Sequence, residues 1–273
     1  MRGDCNRGND GEKSIAAAPD AIKNPPMTAL RKLIAAEAKK ILRDPSRLKE
    51  ALRPRRWRQF FSVVGFYSRT GNRWRDGPRG FQRRVYARYE DYLEHQQVKL
   101  RHLDLTRHED QHERLLRGRL AQMGRLNKGD VALCLGARLG AEVRAFRTHG
   151  CIAIGLDLNP GHRNPDVLRG DFHAVPFRDQ SIDVVFTNSL DHVFDVDRFI
   201  RELRRVLKPA GLLVVEAIRG RDEGTPPDPY ASFWWSRVAD VVVLFEATGF
   251  RLRYRNPFAE PWPGEQLCFE KSG

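Results

Sequence analysis

The stretch VALCLGARLGAEVRAFRTHGCIAIGLDL, residues 131–158, decides the fold. It opens with an unbroken apolar run, VALCLGA, as expected of a strand buried on both faces. Gly136 and Gly140 follow, and glycines at these two places let the backbone turn sharply and approach a ligand closely. Residues 141–148 carry helical periodicity, and CIAIGLDL, residues 151–158, is a second apolar strand. Strand, glycine turn, helix and strand in this order make a βαβ unit, whose two strands lie parallel.

The alternation continues downstream. VLRGD at 167–171, SIDVVFTN at 181–188 and GLLVVEA at 211–217 predict further strands. Between the last two, VDRFIRELRRVLK at 196–208 predicts a helix with Val196, Phe199, Ile200, Leu203, Val206 and Leu207 on one face. Strands and helices at this spacing imply a doubly wound sheet covered on both sides. Ligands of such sheets sit outside the carboxyl ends of the strands. The loops after the first, second and fourth strands are therefore where chemistry belongs. Asp157 closes the second strand, where a carboxylate can accept from ribose hydroxyls. Asp171, in Gly170-Asp171-Phe172, can accept from an adenine amino group. Residues 188–192, Asn-Ser-Leu-Asp-His, follow the fourth strand.

Together these motifs resemble the class I S-adenosylmethionine-dependent methyltransferases, in particular a type 11-like domain. Five elements agree over residues 127–218: the glycine-rich first loop, the acid closing strand two, Gly-Asp-x-x-x-x-Pro-Phe at 170–177, the acidic-His loop at 188–192, and Leu-Lys-Pro-x-Gly at 207–211. The resemblance implies a Rossmann-like, seven-stranded, mostly parallel α/β sheet with an antiparallel last strand. TGFRLRYRNP (248–257) and EQLCFEK (265–271) would supply its closing strands. It also implies S-adenosyl-L-methionine as cofactor and no metal. Gly136, Ala137 and Gly140 would border its methionine part, Asp157 with Leu158 would hold the ribose, and Asp171 with Phe172 would flank the adenine. Asn188 and Ser189 would face the methyl group, with His192 as the candidate acid or base. The loop departs from the family pattern twice. Cys134 stands where the family has an acid, and Arg138 where it has its middle glycine. Arg138 could obstruct the pocket, or pair with the methionine carboxylate through a charge-assisted contact; a Gly-Ala-Arg loop also resembles a methyltransferase subgroup.

The net charge of +13 is unevenly placed. Residues 1–125 hold 29 Lys and Arg against 15 Asp and Glu, whereas 126–273 hold 19 against 20. The chain therefore reads as a disordered tail (1–26), a basic helical region (27–125) and an S-adenosylmethionine-binding methyltransferase domain (126–273). Thr28 can cap a helix running through LRKLIAAEAKKILRD. The block 53–81 interleaves arginines with Trp57, Phe60, Phe61, Phe66, Tyr67 and Trp74. It suits an anionic partner, whether nucleic acid or a membrane surface, or a substrate-side cap with aromatics inside and arginines in solvent. Residues 82–123 predict one or two long helices. The insertion 219–235, with Tyr230, Phe233, Trp234 and Trp235, is near enough to the site to wall an acceptor pocket or to be core. Four scattered cysteines, none in a CxxC pair, and an N-terminus without an apolar signal segment fit a cytoplasmic protein.

Three functions fit. Methyl transfer to a small-molecule or glycan oxygen is the first. A nicotinamide-dependent oxidoreductase would share the first loop and Asp157 but needs G-x-G-x-x-G spacing, which GARLG lacks. A catalytically degenerate fold working as a binding or scaffold module through its basic half is the third.

Overall fold

The computed structural model describes residues 61–62, 65–67, 72–100 and 106–273. The expected tail at 1–26, the helix after Thr28 and most of the block 53–81 lie outside the described residues.

The expected βαβ unit is β3 (Val131–Leu135), a helix at Ala141–Thr148 and β4 (Ile152–Asp157). β5 (Val167–Arg169), β6 (Ile182–Thr187), β7 (Leu207–Ile218), β9 (Phe250–Phe258) and β10 (Gly264–Lys271) complete a seven-stranded sheet of order β5-β4-β3-β6-β7-β10-β9. β3, β4, β5, β6 and β7 pair in parallel. β10 runs antiparallel to both neighbours, so β9 points the same way as β7 and only the last strand of the chain is reversed. The chain leaves β3 in opposite directions across the sheet towards β4 and β6, which opens a crevice at their carboxyl ends.

Period-two alternation divides the core. Leu133 and Leu135 join one apolar cluster with Phe199, Leu203, Val241 and Phe245, from helices Val196–Val206 and Val238–Glu246. Ala132 and Cys134 face the other way, into Val143 and Phe146. That second face also takes Leu116, Leu120 and Met123 from the helix Thr106–Met123. Among the described residues, the helices with bounded ends are labelled in chain order α1 (Tyr89–Leu100), α2 (Thr106–Met123), α3 (Ala141–Thr148), α4 (Val196–Val206) and α5 (Val238–Glu246). Asp195 caps α4 by accepting from the Arg198 amide.

Besides Leu207 and Lys208, which were expected to end a helix and instead open β7, two features differ from the sequence reading. First, α2 is part of the sheet's core, so the packed unit begins well before residue 126. Second, residues 82–84 are not helical. β1 (Trp74–Asp76), β2 (Gln82–Arg84) and β8 (Phe233–Trp234) form a small antiparallel sheet in the order β1-β2-β8. Helical spacing of Val85, Tyr89 and Tyr92 cannot register a partner strand 150 residues away, and that pairing decides the conformation here. This sheet and α1 form a cap. Of the described aromatics in the block 53–81, Phe66 and Tyr67 are buried with Tyr230 and Phe81 is buried, whereas Trp74 is half-buried and Phe61 is 63% exposed. Arg73, Arg75 and Arg79 of the block are exposed, whereas Arg84, just beyond it, is buried. Its guanidinium lies over the Tyr67 and Trp74 rings and donates to the carbonyl of Ala231. Tyr230, Phe233, Trp234 and Trp235 are core residues of this region, all buried. Cys134, Cys151 and Cys268 are buried free thiols. Among the described residues no helix is long and apolar enough to cross a membrane, and no cluster with metal-ligand composition occurs.

Candidate functional site

The turn after β3 is held in left-handed backbone at three places: Gly136 (φ 76°), Arg138 (φ 40°) and Gly140 (φ 89°). Gly136 is obligatory, because a Cβ there would collide with the Ser189 hydroxyl of the loop after β6. Its amide donates to the Leu156 carbonyl at 2.8 Å. Arg138, not a glycine, carries a strained conformation of the kind that collects at ligand sites. Its amide donates to Asp157 Oδ2 at 3.1 Å, and the Asn159 amide donates to Oδ1 at 2.6 Å. The first two loops are thus joined through the carboxylate of Asp157. Burial raises the pKa of Asp157, only partly offset by the two amides and the Arg138 charge. The Arg138 guanidinium takes no hydrogen bond among the described residues. Ala137 is buried and Leu158 half-buried beside this joint.

Asp171 ends the third strand's loop in a network. Oδ1 accepts from the His173 amide at 2.8 Å and from its Nδ1 at 2.7 Å; Oδ2 accepts from the Tyr89 hydroxyl of α1. Burial works to raise its pKa, but the hydrogen bonds of His173 and Tyr89 outweigh it and hold Asp171 at about 2. His173 Nε2 accepts from the Phe194 and Asp195 amides, which fixes the proton on Nδ1. Phe172 is buried against Phe199.

After β6, the Ser189 hydroxyl donates to Asn188 Oδ1 at 3.1 Å. Asn188 Nδ2 lies 3.1 Å from Glu142 Oε1 and 3.1 Å from His112 Nε2. Asn188 therefore turns into a polar group that sequence reasoning missed. Glu142 comes from the first turn of α3, and Glu109 and His112 come from α2. Glu109 Oε2 accepts from the Ala141 amide at 3.1 Å and so caps α3 from a neighbouring helix. Burial, then the Glu142 charge, push Glu109 up to about 7. Burial would lower the His112 pKa, but its hydrogen bond to Glu142 outweighs this and raises it. Glu142 is 5% exposed, and its Oε2 has no hydrogen-bond partner among the described residues. A signal for the group was present: Glu109, His112 and Arg119 recur at helical spacing on the face carrying Leu116 and Leu120. On the same face Arg119 forms a buried bidentate pair with Glu216 of β7, at 2.6 and 2.8 Å.

His192 closes the short helical turn Leu190–His192. Its Nδ1 lies 3.3 Å from the Tyr230 carbonyl, which can only accept, so Nδ1 carries the proton. Its Nε2 lies 3.7 Å from Asp191 Oδ2. The Ser232 amide of the cap donates to the Asp191 carbonyl at 2.7 Å, tying cap and loop together.

The residues expected at the first, second and fourth loops thus converge at the carboxyl ends of β3, β4 and β6. Residues 133–215 match the family described as a methyltransferase domain. The malonyl-[acyl-carrier protein] O-methyltransferase of Yersinia pestis is 30% identical over 109 residues, which are 37% of this chain and 41% of that protein. The phthiotriol/phenolphthiotriol dimycocerosates methyltransferase 1 of Mycobacterium ulcerans is 35% identical over 95 residues, 31% of this chain and 35% of that protein. A SAM dependent methyltransferase from Aquifex aeolicus superposes on 57% of this chain and 89% of its own, with TM-score 0.46 and 17% identity. The chain spans less than half the length of the curated relatives it matches. Over residues 133–215, from β3 through most of β7, the chain is thus similar to the methyltransferase domain family.

Proposed function

We propose that this protein binds S-adenosylmethionine at the carboxyl edge of β3, β4 and β6 and transfers its methyl group to an oxygen of a small molecule or glycan. The observation that carries this reading is the joint at Asp157. The carboxylate gathers the first two loops with one backbone hydrogen bond on each oxygen, and a carboxylate has about four acceptor positions. One position on each oxygen is left for a ribose diol.

The other residues fit the same ligand. Asp171 stays ionised and keeps an acceptor position on Oδ2 for an exocyclic amine. Gly136 and Gly140 bare the backbone where the methionine end would lie. When bound, the cofactor supplies a sulfonium-activated methyl group. The chain holds acceptor and methyl in line and excludes water, a task that suits the cap of β1, β2, β8 and α1. With Nδ1 engaged, His192 takes a second proton on Nε2, and Asp191 3.7 Å away stabilises the resulting cation. That makes His192 the base for a hydroxyl acceptor. The name O-methyltransferase borne by the Yersinia pestis relative speaks for oxygen.

Two measurements test this. Calorimetric titration with S-adenosylhomocysteine should show binding, and no heat or thermal shift at millimolar ligand would defeat the reading in favour of a scaffold. Incubation with methyl-labelled S-adenosylmethionine and a panel of hydroxylated metabolites and glycans should then label an acceptor, and His192→Ala should slow that labelling by about 10²-fold or more.

A further inference from the structure

The first loop departs from its family's pattern at two positions, and the structure offers a compensation for both. Cys134, where the family carries an acid, is fully buried, and Glu142 is near enough that its charge raises the Cys134 pKa, after burial itself. A carboxylate is therefore restored to that neighbourhood from α3 instead of from the strand. The Glu142 side chain is 7% exposed, and only half of it is engaged: Oε1 faces Asn188 Nδ2 and His112 Nε2, while Oε2 is buried without a partner. A buried carboxylate oxygen left unpaired costs free energy unless a ligand supplies the donor. Glu109, held in the same group by the Ala141 amide, adds a second acid to it. Across the loop, Arg138 offers a guanidinium that makes no hydrogen bond among the described residues, and it acts electrostatically on both Glu109 and Asp157. Among the described residues, a guanidinium without a hydrogen bond and a buried carboxylate engaged through one oxygen only thus flank the Gly136–Gly140 turn. A free amino acid has that charge pattern in reverse.

Resting on the reading of the site as an S-adenosylmethionine pocket, we propose that Glu142 is the binding residue for the ammonium group of the cofactor's methionine end. Oε2 accepts its N–H, Asn188 and His112 position the carboxylate through Oε1, and Arg138 takes the α-carboxylate of the same zwitterion.

The test compares three ligands by calorimetry on the full chain: S-adenosylhomocysteine, its deamino analogue with hydrogen in place of the amino group, and 5′-methylthioadenosine, which lacks the amino-acid end. The wild-type protein should bind the deamino analogue about tenfold or more weakly than S-adenosylhomocysteine. Glu142→Gln should lose a similar factor for S-adenosylhomocysteine, bind the first two ligands alike, and keep wild-type affinity for 5′-methylthioadenosine. Should the neutral variant fail to fold, Glu142→Asp, which keeps the charge but retracts it by one methylene, must lower S-adenosylhomocysteine affinity while sparing 5′-methylthioadenosine. Equal wild-type affinity for the amino and deamino ligands, or a variant that keeps the wild-type ratio, overturns the assignment. A wild-type protein that binds none of the three refutes the cofactor reading itself, a result distinct from either.

Discussion

Asp157 and Arg138 share one hydrogen bond, yet they carry separate expectations. Asp157→Ala removes an ionised acceptor, and calorimetry should show S-adenosylhomocysteine affinity falling by about 1–3 kcal/mol. Arg138→Ala should also weaken binding if the guanidinium holds the ligand's carboxylate; a gain in affinity would mean that the side chain obstructs the pocket. The acids of the site also set opposite responses to pH. Asp171 is held at about 2, below its ordinary value. Its contribution to stability is therefore complete above about pH 4 and is lost as pH falls from there towards 2. Glu109, raised to about 7, behaves in reverse: the folded state holds its proton more tightly, so stability declines as pH rises from about 4.5 to 7. Thermal unfolding across that window should show a decline that Glu109→Gln reduces. Asp157 and Asp171 were legible in the sequence because each ends a recognisable strand. Glu142 was not, because its role depends on α2 and α3 touching; for Glu109 the helical spacing with His112 and Arg119 placed it on the leucine face but did not say which helix that face meets.

At the level of elements, α2 is the clearest departure from what the sequence offered. It lies in the basic half of the sequence, yet it carries an apolar stripe that includes Leu120. Both descriptions apply to one amphipathic helix: Leu116 and Leu120 pack on the sheet, and Arg119 enters with them because Glu216 awaits it. Removing one member of a buried pair strands the other charge. Arg119→Met should therefore cost about 3–5 kcal/mol in denaturant unfolding, and Arg119→Met with Glu216→Leu should recover most of it. Leu120→Ala, which leaves a cavity in the same face, should cost about 2–5 kcal/mol by the same measurement. The strands of the large sheet, in contrast, were readable to within about two residues, except that β7 starts at Leu207, where the sequence reading continued a helix to residue 208. Buried parallel strands are written as continuous apolar runs, whereas β1, β2 and β8 are two or three residues long and mixed in character.

Taken whole, the molecule does not divide at residue 125. A chain beginning at residue 126 would lack α2, baring the apolar side of β3, α3 and β10, and should appear as aggregated or unfolded material by light scattering and circular dichroism. The cap binds the two halves a second time. β2 pairs with β8, the Arg84 amide donates to the Ser232 carbonyl at 2.8 Å, and the Ser232 amide reaches Asp191 beside His192. The cap over the loop after β6 is thus sewn from segments about 150 residues apart in the chain. If the proposed site lies beneath this cap, the size of acceptor it admits should depend on residues 72–98, far upstream of the loops after β3, β4 and β6. Exchanging that segment for a foreign counterpart should redirect which acceptors are methylated while the affinity for S-adenosylhomocysteine stays put.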